Sequence, residues 1–195
     1  MALSSVTGSF GVIIALGVII IALVTFPNFS WYVNSISSTI AEGVKYSFWY
    51  NLGIMLAGVL FLMFSFSLLF TNGALIWRNK WLTLTGIISF MIASIGLFGA
   101  GVYPSPHNEH IYVAGVFFLF SIIALFCFGS GLNGNMRMWS YGLFIVALIG
   151  FFLMLGLMIY EGVYGKVLFG LEAPELVVII SIVIWVWVII FEINK

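Results

Sequence analysis

Six uninterrupted apolar runs constrain this chain more than any other feature of its sequence. An α-helix needs about twenty such residues to cross the roughly 30 Å hydrocarbon layer of a bilayer. The strands of a membrane barrel would alternate apolar and polar residues in shorter segments, so we predict helices. The predicted spans lie at about residues 9–26, 48–70, 81–103, 111–129, 139–160 and 176–193.

The composition agrees with lipid as the surrounding solvent. Hydrophobic residues make up 64% of the 195 residues and charged residues only 6%, which is too little to cover a soluble globular surface. Six Lys and Arg balance six Glu, so there is no basic field for nucleic acid. The sequence excludes a soluble enzyme and a nucleic-acid binder, and it predicts one all-α domain over residues 1–195, a multi-pass bundle of six transmembrane helices.

The distribution of basic residues predicts the orientation of this bundle. Along six crossings, the side that holds both termini carries four basic residues and the opposite side carries two. They are Arg78, Lys80, Arg137 and Lys195 on the first side, and Lys45 and Lys166 on the second. Because basic segments remain in the cytoplasm, we predict that both termini are cytoplasmic and that the chain lies in the cell membrane.

Small residues recur at helical spacing in the third predicted span. They are Gly86, Ser89, Ala93, Gly96 and Ala100. Apolar burial does not drive helices together inside lipid, so close approach of their backbones must contribute to packing. We interpret these residues as an intramolecular packing face that places the third span centrally in the bundle. A seam between two copies of the chain is the alternative.

Both histidines fall in the predicted outer connection after the third span. His107, His110 and the intervening Glu109 could ligate a divalent metal such as zinc, with Glu42 from the first outer loop. A zinc-bound water there could hydrolyse a lipid headgroup. Alternatively, His110 caps the fourth span or bonds a neighbouring loop, and Glu109 stabilises the N-terminus of the same helix. Further polar residues predicted near this outer cluster are Asn51, Glu161, Ser37, Ser38 and Ser105.

The first outer loop, residues 27–47, is the longest. Its apolar residues Val33, Ile36 and Ile40 have a spacing that favours a short helix on the membrane surface or over the bundle. No predicted span carries an ionisable residue near its middle. Since intramembrane charges mark ion pathways and proton relays, this pattern argues against a proton-coupled pump and a charge-lined channel.

Two stretches resemble the family known as domain of unknown function 998, which are six-helix membrane proteins of bacteria and archaea. The first is Ser35–Ser38 followed by Asn51–Gly58, and the second is Gly101–Pro104 followed by His110 and Ala114. The resemblance covers the second to fourth spans and implies six crossings of a prokaryotic membrane. It also implies that Asn51 and His110 approach each other near the outer surface, and it implies no particular activity.

Three functions follow from these observations. The small number of polar residues favours a non-catalytic accessory or lipid-associated protein, whose partners are membrane lipids, other membrane subunits or a second copy of the chain. The first alternative is an outward-facing metal-dependent lipid hydrolase or transferase that uses His107, His110, Glu109 and Glu42. The second is a carrier of an uncharged or lipid-like solute, which requires a lateral or central cavity lined by glycine and aromatic residues.

Overall fold

A computed structural model describes residues 3–27, 29–30, 34–70, 78–165 and 170–194. Within these residues the chain is all-α. Its helices are α1 (Leu3–Thr25), α2 (Ile36–Thr39), α3 (Ser47–Leu68), α4 (Lys80–Val102), α5 (Asn108–Gly131), α6 (Gly134–Tyr164) and α7 (Glu172–Ile193). All but the short α2 are long and apolar enough to cross a membrane, so each of the six predicted spans coincides with a candidate membrane-spanning helix.

The ends of the helices differ most from the predicted spans in α1 and α6. Helix α1 begins at Leu3 rather than near residue 9, because its polar first turns are packed and hydrogen-bonded. The hydroxyl of Ser5 donates to the Asn194 side chain at 3.0 Å, which joins the two ends of the chain. Helix α6 has 31 residues and is capped at its C-terminus by Gly165, whose φ of 62° suits the left-handed conformation that glycine adopts without strain.

The six long helices form a closed ring in the order α1, α3, α4, α5, α6 and α7, with α7 returning to α1. Helices α5 and α7 also contact each other, so α6 lies outside them. Accordingly, 22% of the apolar window of α6 is buried, whereas the other long helices have 39–50% buried. The interior is therefore enclosed by α1, α3, α4, α5 and α7.

The small-residue face of α4 is an intramolecular packing face, as predicted. Ala93 is fully buried, and a Cβ added at Gly96 would lie only 2.7 Å from the backbone nitrogen of Phe117 on α5. The central position expected for α4 is wrong, because among the described helices its backbone lies close only to those of α3 and α5. Close approach to α5 explains the small residues without a central position.

Trp185 on α7 is the largest fully buried side chain. Its ring packs against those of Phe64, Phe90 and Phe128, and the Phe128 centroid is 4.4 Å away. Its indole N–H donates to the Ser140 hydroxyl at 3.1 Å. This cluster therefore ties α7 to α3, α4, α5 and α6.

The end of the bundle where α2 lies, opposite the chain termini, is called the α2 end below. The predicted short helix is present, and the hydroxyl of Ser35 accepts a hydrogen bond from the Ser38 backbone N–H at 3.1 Å. Ile36 and Ile40 are both buried, so α2 covers this end of the bundle. Val33, the other apolar residue of the predicted pattern, lies outside the described residues.

Candidate functional site

A partly open cavity of about 90 Å³ lies between the helices at the α2 end. Its walls come from every described helix except α6. They are predominantly apolar, and representative lining residues are Ala15, Phe61, Ala114, Phe118 and Ile182. Three lining residues have polar side chains, Ser37, His110 and Glu175. These three lie on α2 and in the first turns of α5 and α7, so the cavity is polar at one end and apolar along its length.

Glu175 is a buried carboxylate that connects α7 to α2. Its Oε2 atom accepts a hydrogen bond from the Ile36 backbone N–H at 2.8 Å. Burying a carboxylate is costly unless hydrogen bonds compensate for lost water, and the first helical N–H of α2 supplies one. Glu175 was not among the predicted site residues. Glu175 directly follows Pro174 at the start of an apolar span, and this position could have predicted a carboxylate in the first turns of a helix.

His110 lies in the first turn of α5, with its Nδ1 atom 2.8 Å from the Tyr103 carbonyl oxygen at the end of α4. A carbonyl can only accept, so Nδ1 carries the proton and donates. Nε2 of the neutral ring is then an acceptor. Of the two alternatives predicted for His110, the bond to a neighbouring loop is therefore the arrangement observed. Glu109 is exposed in the first turn of α5, where a negative charge is favourable.

His107 pairs with Glu42 rather than with His110. Its Nε2 atom is 2.8 Å from Glu42 Oε2, and the two side chains are 45% and 66% exposed. The Glu42 backbone N–H donates to the Ser105 carbonyl at 2.7 Å, which joins the same two loops. Within the described residues, no three His, Cys, Asp or Glu side chains are grouped to hold a metal ion. Zinc at this end remains a prediction.

The predicted serines of the outer cluster have structural contacts. The hydroxyl of Ser38 donates to the Ser35 carbonyl at 2.7 Å, and the hydroxyl of Ser37 is 2.9 Å from that of Ser35. Ser105 contributes its backbone carbonyl, as described above. Ser37 and Ser38 therefore stabilise the first turn of α2, and Ser37 also lines the cavity.

Neither Asn51 nor Glu161, the remaining predicted polar residues, lines the cavity. Asn51 is buried on α3, where its Nδ2 group donates to the Ile40 carbonyl at 3.0 Å. It lines a groove with Glu42 and His107, whereas His110 lines the cavity. Asn51 and His110 thus lie at the same end but face different pockets. Glu161 is exposed near the end of α6, a helix that packs against only α5 and α7 among the described elements.

Comparison with known proteins identifies the family of this chain. No curated protein and no solved structure matches it. The family model described as a protein of unknown function, DUF998, matches residues 9–192, a range that reaches from α1 to α7. The match extends well beyond the second to fourth spans in which the resemblance was found. The chain therefore belongs to the DUF998 family of proteins of unknown function, with six helices suited to crossing a membrane.

Proposed function

We propose that this protein is a non-catalytic, lipid-associated protein of a prokaryotic cell membrane. It holds the apolar part of a lipid-like molecule in the cavity at the α2 end. The observation that carries this proposal is the cavity itself, which has apolar walls from five long helices and polar groups at one end. The charge distribution supports an orientation in which the termini are cytoplasmic and the α2 end faces outward.

The size of the cavity limits what it can hold. An engineered apolar cavity of about 150 Å³ remains dry and binds benzene. A cavity of about 90 Å³ is smaller, so it suits a short stretch of one hydrocarbon chain. The small side chains of Ala15, Ala100 and Ala114 leave this space between larger neighbours. Because the cavity is partly open, a chain can enter it without unfolding the bundle.

The polar groups support binding more than catalysis. The Ser37 hydroxyl lies next to Ser35, Glu175 accepts from Ile36, and His110 donates to Tyr103. These bonds hold α2 and the first turns of α5 and α7 in place. The ligands predicted for a hydrolytic metal are divided between the cavity, the Glu42–His107 pair and the exposed Glu109. We therefore assign Ser37, His110 and Glu175 to the support of a binding cavity.

A photoactivatable alkyl probe tests the proposal in protein reconstituted into lipid nanodiscs. Ala114→Leu adds bulk inside the cavity, and Ala173→Leu makes the same change at an exposed position on α7. We expect the wild type and Ala173→Leu to be labelled at Phe117 or Phe118. Labelling there should fall several-fold in Ala114→Leu.

Ala100→Leu provides a second cavity-filling variant if Ala114→Leu does not fold. Gel filtration and thermal unfolding establish that each variant is folded before labelling. Labels confined to lipid-facing residues of the wild type would refute the proposal. Equal labelling of the cavity in Ala114→Leu and Ala173→Leu would do the same.

A further inference from the structure

A second pocket, called the α3–α4 groove below, lies between the start of α3 and the end of α4. Its volume is about 520 Å³, and the paired side chains of Glu42 and His107 line it. None of its lining residues lines the cavity. A ligand of the α3–α4 groove is therefore independent of the molecule proposed for the cavity.

The α3–α4 groove has an apolar side that belongs to the outer surface of the bundle. Phe48, Leu52 and Val102 line it and are 68%, 43% and 42% exposed. Exposed apolar side chains on spanning helices face hydrocarbon, whereas the Glu42–His107 pair belongs to the loops beyond the helix ends. A molecule in this groove meets hydrocarbon on one side and polar groups on the other, which suits the head of a membrane lipid.

Glu42 provides the charge of the α3–α4 groove. Its Oε2 atom is 2.8 Å from His107 Nε2, and within the described residues His107 is the one side chain that contacts this carboxylate. A carboxylate has about four acceptor positions on its two oxygens, so one donor leaves most of them open. Because the side chain is 66% exposed, a further donor can reach it from the groove.

Asn51 provides a buried acceptor at the same groove. The residue is 8% exposed, and its Nδ2 group donates to the Ile40 carbonyl. Its Oδ1 atom is buried and has no hydrogen-bond partner among the described residues. An unpaired buried amide oxygen is unfavourable, so a bound donor that reached it would be stabilising. Asn51 lines the α3–α4 groove and not the cavity, so the groove is the pocket from which a donor approaches this residue.

These groups select a ligand that donates hydrogen bonds and carries one positive charge. Apart from His107, the described lining contains no basic side chain, and Lys45 lies over the Tyr46 ring at 4.8 Å. A single carboxylate balances a single ammonium group, whose three N–H donors can serve two acceptors at once.

We infer that the α3–α4 groove binds the head of an aminophospholipid, a lipid with the chemistry of phosphatidylethanolamine. The ammonium group donates to the Glu42 carboxylate and to Asn51 Oδ1. An acyl chain of the same lipid lies along Leu52 and Val102.

Native mass spectrometry of the detergent-solubilised protein tests the inference with three dioleoyl lipids. Phosphatidylethanolamine has a charged head with N–H donors, phosphatidylcholine has the charge without donors, and phosphatidylglycerol has no positive charge. We expect phosphatidylethanolamine to bind with an about tenfold lower Kd than either of the others. Equal Kd values for phosphatidylethanolamine and phosphatidylcholine would overturn the inference. Soluble glycerophosphoethanolamine binding as tightly as the lipid would overturn the assignment to a lipid, because the apolar side would then contribute nothing.

Two glutamates at the α2 end provide a matched pair of variants. Glu42→Gln removes the charge from the α3–α4 groove and keeps an oxygen that can accept from His107. Glu109→Gln makes the same change at an exposed residue that does not line the groove. Glu109→Gln should retain the preference for phosphatidylethanolamine, and Glu42→Gln should reduce it to about twofold. The full preference in Glu42→Gln would contradict the role of its carboxylate.

Asn51→Leu tests the second acceptor, because it removes Oδ1 and keeps a side chain of similar size. The preference for phosphatidylethanolamine should fall several-fold, and an unchanged preference would contradict the role of Oδ1. If this variant does not fold, Ser47→Trp adds bulk within the groove at the first residue of α3. Unchanged binding of phosphatidylethanolamine by Ser47→Trp would overturn the placement of the lipid. Labelling of Phe117 or Phe118 by the alkyl probe tests the cavity separately, so either proposal can fail without the other.

Discussion

Gly96 on α4 lies so close to the backbone of α5 that even a methyl group does not fit between them. A Cβ at this position would lie 2.7 Å from the Phe117 nitrogen and 2.9 Å from the Val113 carbonyl oxygen. The first distance is roughly 0.7 Å short of ordinary contact, which begins at 3.4 Å. Backbone atoms of a packed helix cannot rotate aside as a flexible side chain does. Gly96→Ala must therefore separate α4 from α5.

The expected cost follows from two opposing effects. Overpacking costs about 1–3 kcal/mol, whereas alanine is favoured over glycine within a helix by about 1 kcal/mol. Gly96→Ala should therefore lose up to about 2 kcal/mol of unfolding free energy. Gly115→Ala on α5 is the matched control, because a Cβ there meets nothing within 4 Å. The difference between the two variants isolates overpacking and should be about 1–3 kcal/mol.

Reversible unfolding in mixed micelles, titrated with sodium dodecyl sulfate, measures both free energies. Gly96→Ala should unfold at lower denaturant content than the wild type, and Gly115→Ala at equal or higher content. Equal stability of the two alanine variants would refute the backbone contact between α4 and α5.

Three further predictions concern single side chains. Cys127 is buried and should react with a maleimide only after denaturation, so rapid labelling of the folded protein would argue against its position. Trp185→Phe removes the donor to Ser140 and should lower the unfolding free energy by about 1–3 kcal/mol, while wild-type stability would count against that bond. His107→Ala breaks an exposed pair with Glu42 and should change the unfolding free energy by less than about 1 kcal/mol; a larger loss would show that the pair does more than join two loops.

The spanning helices could be predicted from the sequence because a bilayer demands a continuous apolar run in each one. The first turns of α1 could not, since Ser4, Ser5 and Thr7 have polar side chains. They are buried by tertiary packing, and Ser5 is bonded to Asn194 at the far end of the chain. An apolar pattern along one segment carries no information about such a partner.

The candidate site shows the same division between local and long-range contacts. The bond between His110 and Tyr103 joins residues seven positions apart and was among the predicted alternatives. The bond between Glu175 and Ile36 spans 139 positions and depends on α7 lying beside α2. The cavity depends on the order of helices around the ring, and no short sequence pattern specifies that order.

An experimental structure of the protein in lipid nanodiscs tests the proposed binding cavity most directly. We predict elongated density for one hydrocarbon chain beside Ala114 and Ile182, with its head at the end of the cavity lined by Ser37, His110 and Glu175. A cavity closed by side chains, or filled only by water, would contradict it.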